Sequence, residues 1–157
     1  MFNRNYKMLL STFISILFLT GLVFADPTDG CEMDANTLFL TSDGQVFYNS
    51  SSDIGGFQFS VDGTSVSGAS GGDAAANGFT VSAGGSTVLG FSFTGGVIPA
   101  GCGTLVELAL DGEATGLSGI VISDPNANAL DFSYYVEDNS GWGGDACSMD
   151  SNSLHLD

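Results

Sequence analysis

Beyond Lys7 the chain contains neither lysine nor arginine, and its one histidine is His155. All 18 Asp and Glu residues lie at or beyond Asp26, so residues 26–157 carry a formal charge of −18. Proteins that hold nucleic acid neutralise phosphates with Lys and Arg, and none remains here for that task. A Walker-type phosphate loop needs a lysine and is excluded too. Anionic membrane surfaces repel such a chain. The position of His155 leaves no Ser-His-Asp triad for the main body of the sequence. No Cys-x-x-Cys pair is present, which removes the usual thiolate zinc sites. No segment sustains a 3.6-residue apolar period, which excludes a helical bundle.

The two cations that do occur, Arg4 and Lys7, precede an apolar run from Met8 to Phe24. Val23-Phe24-Ala25 then offers a small-x-small cleavage site before the polar Asp26-Pro27-Thr28-Asp29. Residues 1–25 therefore read as a secretory signal peptide. The alternative is a retained membrane anchor, for which the run is borderline in length. Cleavage at Ala25 leaves a chain with no further spanning segment, expected outside the cytoplasm, secreted or at the cell surface.

Past residue 25 the sequence is rich in Gly and Ser, a composition that by itself suits disorder. The apolar pattern argues for a folded core instead. Nine strands are predicted, at Thr37–Thr41, Gln45–Asn49, Ile54–Val61, Ser65–Ser70, Gly78–Ala83, Thr87–Thr94, Thr104–Leu110, Leu117–Ser123 and Leu130–Val136. Several alternate with period two. Phe57, Phe59 and Val61 share one face; Leu89, Phe91 and Phe93 share another, opposite Gly90 and Ser92; Val106, Leu108 and Leu110 oppose Glu107 and Ala109. This is the pattern of half-buried antiparallel strands. Turn residues fill the joins, as at Asp62-Gly63, Gly84-Gly85 and Asp111-Gly112, and point to an all-β sandwich or barrel. One helical turn is predicted at Asp73-Ala74-Ala75-Ala76-Asn77-Gly78.

Residues 29–40 recur at residues 145–156, a spacing of 116 residues. Asp29, Cys31, Met33, Asp34, Asn36, Leu38 and Leu40 match Asp145, Cys147, Met149, Asp150, Asn152, Leu154 and Leu156. The expected organisation is a signal peptide (1–25), a β-domain (26–137), a Gly-rich linker (138–144) containing Trp142, and the truncated start of a second repeat (145–157). The repeat assigns Cys31 and Cys102 to the first unit, and a Cys31–Cys102 disulfide is expected from an oxidising export route. Cys102–Cys147 is the competing pair.

Three stretches resemble the cohesin family. Ile54-Gly-Gly-Phe-Gln-Phe-Ser-Val61 is similar to its Gly-Phe-Gln-Phe strand. Val88-Leu-Gly-Phe-Ser-Phe93 with Ile98-Pro-Ala-Gly-Cys-Gly-Thr-Leu105 is similar to a later strand and loop. Ile120-Val-Ile-Ser-Asp-Pro-Asn-Ala-Asn-Ala-Leu130 is similar to a late strand and turn. The resemblance covers roughly residues 36–136 and implies a nine-stranded antiparallel β-sandwich with jelly-roll topology, related to some carbohydrate-binding modules. The cysteines and Ala127 depart from that pattern, and no dockerin-contact residue is carried over.

Few residues suggest chemistry. Asp124, Asn126 and Asn128 place oxygen side chains at alternate positions, as a calcium loop does. Ala129 and Tyr135 stand where an EF-hand needs Gly and Glu, so the choice is between another calcium site and a plain Asp-Pro-Asn turn. No other cofactor is implied. Asn49-Ser50-Ser51 is a glycosylation sequon. Phe39, Phe47 and Tyr135 fall opposite the proposed core positions and, with Trp142 in the linker, are the expected ligand contacts. The functional expectation is an exported, non-catalytic adhesion or scaffolding module that meets a protein at the cell surface. The alternative is a carbohydrate-binding module whose partner is a polysaccharide. Neither reading involves nucleic acid, nor a membrane once the signal is removed.

Overall fold

A computed structural model describes residues 25–137. The signal segment up to Phe24, the linker with Trp142 and the second repeat with Cys147 lie outside the described residues. The described chain forms ten strands. These are β1 (Thr37–Leu40), β2 (Gln45–Ser50), β3 (Gly56–Asp62), β4 (Val66–Ser70), β5 (Thr80–Gly84), β6 (Thr87–Phe91), β7 (Gly101–Leu110), β8 (Gly116–Ser123), β9 (Ala129–Leu130) and β10 (Ser133–Tyr134). One short helix, α1 (Gly72–Ala76), joins β4 to β5, and a 3-10 turn (Gly30–Glu32) precedes β1. Among the described residues no helix is long and apolar enough to cross a membrane.

The strands form two five-stranded sheets, ordered β10-β1-β2-β7-β4 and β5-β6-β3-β8-β9. Every pairing between them is antiparallel except β1 with β10. The core lies between the sheets. Leu38, Val46, Leu105 and Val106 come from the first sheet, and Phe59, Val88 and Ile122 from the second, all fully buried. Each such side chain contributes about 1.5–3 kcal/mol by leaving water. A bulge in β7 opposite Val46 and Phe47 leaves Leu105 unpaired in the register, and both Leu105 and Val106 are buried.

Eight of the nine predicted strands occupy their expected stretches, and the ninth is two strands. Residues 129–130 pair with β8 in the second sheet, while residues 133–134 pair with β1 in the first. The chain crosses between sheets at Asp131 and Phe132, and Phe132 packs against the core as it passes. A side chain of that size at a corner lets one apolar run serve both layers. The helical turn occurs as expected, although Gly71 rather than Asp73 holds the N-cap position. Asp73 is instead tied to β2, where the Tyr48 hydroxyl donates to its Oδ2 at 2.7 Å.

The face of β6 is the reverse of the expected one. Val88 and Gly90 point inward, and Leu89 and Phe91 point outward. The cause is Phe57, which sits across from Gly90 in the β3–β6 register. Its ring fills the space that a side chain at position 90 needs, and a Cβ there lies 2.7 Å from Phe57 Cε2. Phe57 also stacks on Phe59 and Phe79 at centroid distances of 6.0 Å, so the larger residue of the pair is supplied by β3.

Candidate functional site

The inward turn of Gly90 creates an apolar patch on the outer face of the second sheet. Register places Leu89, Gln58 and Val121 in one row across β6, β3 and β8. Phe91, Gly56 and Ser123 form the next row. Leu89 is 40% exposed and Val121 55%, high values for large apolar residues in strands. Beside them Phe93, in the turn after β6, is 79% exposed and packs edge-on to Phe91, with centroids 4.6 Å apart and planes at 73°. Gly56 contributes no side chain, so the face dips over it into a shallow, open hollow of about 310 Å³. No charged side chain lines this hollow.

Part of the opposite outer face is covered, although Glu107 and Ala109 of β7 remain exposed. The segment before β1 runs across β2 and β7, held by the Cys31–Cys102 disulfide with Cα atoms 5.0 Å apart. Gly30 lies so close to the sheet that a Cβ on it would meet Gly103 O at 2.6 Å. The expected contact residues fall in and around this covered face. Phe47 is buried, at the floor of an open hollow of about 320 Å³ walled by Pro27, Asp26 and Asp43. Its place among exposed contacts is therefore corrected. The outward side of the strand is roofed by the chain's own N-terminal strap, which strand alternation does not reveal. Phe39 sits opposite Phe47 and is half-buried, stacked on Tyr134 at 5.9 Å and meeting Tyr135 edge-on at 6.1 Å. Phe39 and Tyr135 are thus brought together, half-buried against each other. Trp142 is outside the described residues.

The loop after β8 closes on itself. Asp124 Oδ1 accepts from the backbone N–H groups of Asn126 and Asn128, both at 2.8 Å, and Oδ2 accepts from Asn128 Nδ2 at 2.9 Å. The Asn128 bonds, followed by those of Asn126, hold the Asp124 carboxyl below its ordinary pKa. A cation at this loop competes with the Asn128 amide for Oδ2. Among the described residues no three His, Cys, Asp or Glu side chains converge as metal ligands. The sequon asparagine is also engaged, since Asn49 Nδ2 donates to the Met33 carbonyl at 2.8 Å from within β2.

The apolar patch was missed by sequence reasoning because Leu89, Phe91 and Phe93 alternate as well as any core strand. The available signal was Gly90 between two apolar neighbours, in a strand that must pair with the Phe-rich β3. Compared with known proteins, the chain matches no family model, no curated protein and no solved structure.

Proposed function

We propose that this chain is an exported, non-catalytic adhesion or scaffolding domain that acts through protein contact at the outer face of β6, β3 and β8. The observation that carries this reading is the uncharged apolar patch of Leu89, Phe91, Phe93 and Val121 in a chain otherwise studded with acids. Apolar side chains at such exposure lower the free energy of any partner that covers them, at about 25 cal/mol per Å². The face is shallow rather than cleft-like, which suits a surface of another protein better than a small substrate. The edge-on Phe91–Phe93 pair does not offer the coplanar rings on which sugars stack. Export fits the signal-like N-terminus, and the Cys31–Cys102 bridge suits an oxidising compartment. The finer architecture that goes with this reading is the cohesin-like jelly roll.

The test compares the full chain with a Phe93→Ser, Val121→Ser double variant. Each is immobilised and exposed to surface and secreted proteins of the source cells, and each is run through polysaccharide gels. The expected result is protein retention by the unaltered chain, at least tenfold weaker in the double variant, with no retardation in any gel. Retardation by one glycan that the double variant loses would replace this proposal with the carbohydrate-binding alternative.

A further inference from the structure

Charge in this chain is unevenly placed. From Ala74 to Val106 no residue is charged, and that span holds β5, β6 and the turn with Phe93. The strands of the second sheet contain one acid, Asp62 at the end of β3, whose Oδ1 accepts from Ser118 Oγ at 2.7 Å. Strand register lays three outward rows across β5, β6, β3 and β8, beginning at Thr80, Ser82 and Gly84 and ending at Ser123, Val121 and Ser118. None of the residues in these rows carries a charge. Acids stand only at the two ends of the face, Asp62 and Glu113 at one, Asp53 and Asp124 at the other.

The same face carries both a knob and a hole. Phe93 stands 79% exposed beside the hollow, braced edge-on by Phe91, which also lines it. The hollow is open because Gly56 has no side chain. A Cβ there meets only Ser123 Oγ at 3.2 Å and Gly90 O at 3.6 Å. At about 310 Å³ the hollow has room for a phenyl ring. We infer that this face pairs with the same face of a second copy, the Phe93 ring of each entering the Gly56 hollow of the other. A twofold axis in the contact plane, midway between knob and hole, exchanges the two, so one geometry makes both insertions. The inference rests on the reading of this face as a protein contact, and names its partner.

Charge selects that partner. Two copies that meet by the strap-bearing sheet or by either end bring acids toward acids, with no Lys or Arg beyond residue 25 to pair them. A charge-free face against its own copy buries no carboxylate, and so avoids the cost of desolvating one. A strongly basic partner, in contrast, finds no acid within the face to pair with. Strand spacing and rise give the face roughly 19 Å by 17 Å. That is well below the ~800 Å² that each partner gives to a stable complex, so the pairing is transient and concentration-dependent. Salt acts on it in a diagnostic direction. The acids at the two ends repel across the pair, and a shorter Debye length strengthens the contact.

The test is sedimentation equilibrium of the full chain, processed as its host leaves it, in a Cys147→Ser background that excludes disulfide-linked pairs. Protein runs from about 10 µM to about 1 mM, in about 10 mM and about 500 mM NaCl. The expected result is a monomer–dimer equilibrium that tightens about threefold in the higher salt. Phe93→Ser weakens it about tenfold by removing the knob. Gly56→Val adds apolar surface yet weakens it about as much, because it fills the hole. Ala109→Asp, on the outer face of the other sheet, leaves it unchanged, and circular dichroism checks the fold of each variant. The inference is overturned by a chain that stays monomeric in both salts, or by dimers that dissociate as salt rises. It is equally overturned if Gly56→Val associates more strongly, as unspecific apolar contact would. A monomeric chain that still retains another protein through Phe93 and Val121 overturns the second copy and leaves the contact reading standing. If neither association nor retention responds to these residues, both fall.

Discussion

Gly90 and Tyr48 show how single residues set this structure. Gly90 is where β6 yields its inner face to the Phe57 ring. Gly90→Ala puts a methyl group into that ring, and overpacking of this kind costs about 1–3 kcal/mol. Urea denaturation should show the unfolding free energy falling by that amount, with a lower midpoint and an unchanged slope. Tyr48 is buried and donates to Asp73, and burial first, then the Asp73 bond, push its hydroxyl pKa well above the ordinary tyrosine value. The folded chain thus keeps a proton that the unfolded chain releases above about pH 10. Stability contributed by Tyr48 is complete below that pH and is lost as pH rises toward the folded value. Tyr48→Phe should cost about 1 kcal/mol at neutral pH and flatten the alkaline decline, as read by melting between about pH 8 and pH 11.

Among the elements, the N-terminal strap matters most for stability. It is fastened at Cys31 to β7 across a separation of 71 residues. Removing that link frees a long loop in the unfolded state, so Cys102→Ser should lower stability by about 4 kcal/mol. A strap that instead packed tightly without need of the bond would show a loss below about 1 kcal/mol, which calorimetry separates easily. The strap also explains what could be read from the sequence and what could not. Strand positions were legible, because alternation and turn residues are local signals. The disulfide was legible through the repeat. The roof over Phe47 was not, since it depends on a segment distant from β7 in the chain folding back across it. The outward turn of Leu89 and Phe91 was not, because the choice of face was made by Phe57 on another strand. The split of the ninth strand was hidden for a similar reason: residues 129–134 stay strand-like while changing sheets, and only partners reveal a corner.

At the scale of the whole molecule, charge is the dominant feature. The 18 acids beyond residue 25 face no Lys or Arg in that span, so the folded domain repels itself. Raising NaCl from about 10 mM to about 500 mM shortens the Debye length from roughly 30 Å to a few Å. The melting temperature should rise over that range, and a value that stays level would show that the acids are spaced widely enough to ignore one another. The same repulsion opposes contact with any acidic partner at low salt, so the proposed contact at the apolar face should work best where ionic strength is high. On the proposed reading, association in such a setting draws its strength from Leu89, Phe93 and Val121, and not from charge.

The first and last strands, β1 and β10, lie side by side and run in the same direction. A pull on the two ends of the domain would therefore slide them lengthwise past each other rather than unzip them. The Cys31–Cys102 bond takes β1 off the line of tension, because force entering the strap passes through sulfur to β7. With the bond intact, the domain can lengthen by no more than the chain between Cys102 and its end, about 120 Å. With the bond broken, the sliding pair must bear the load, and its failure releases about 360 Å. The strap bond thus works as a stop that limits how far a tethered domain can give under tension.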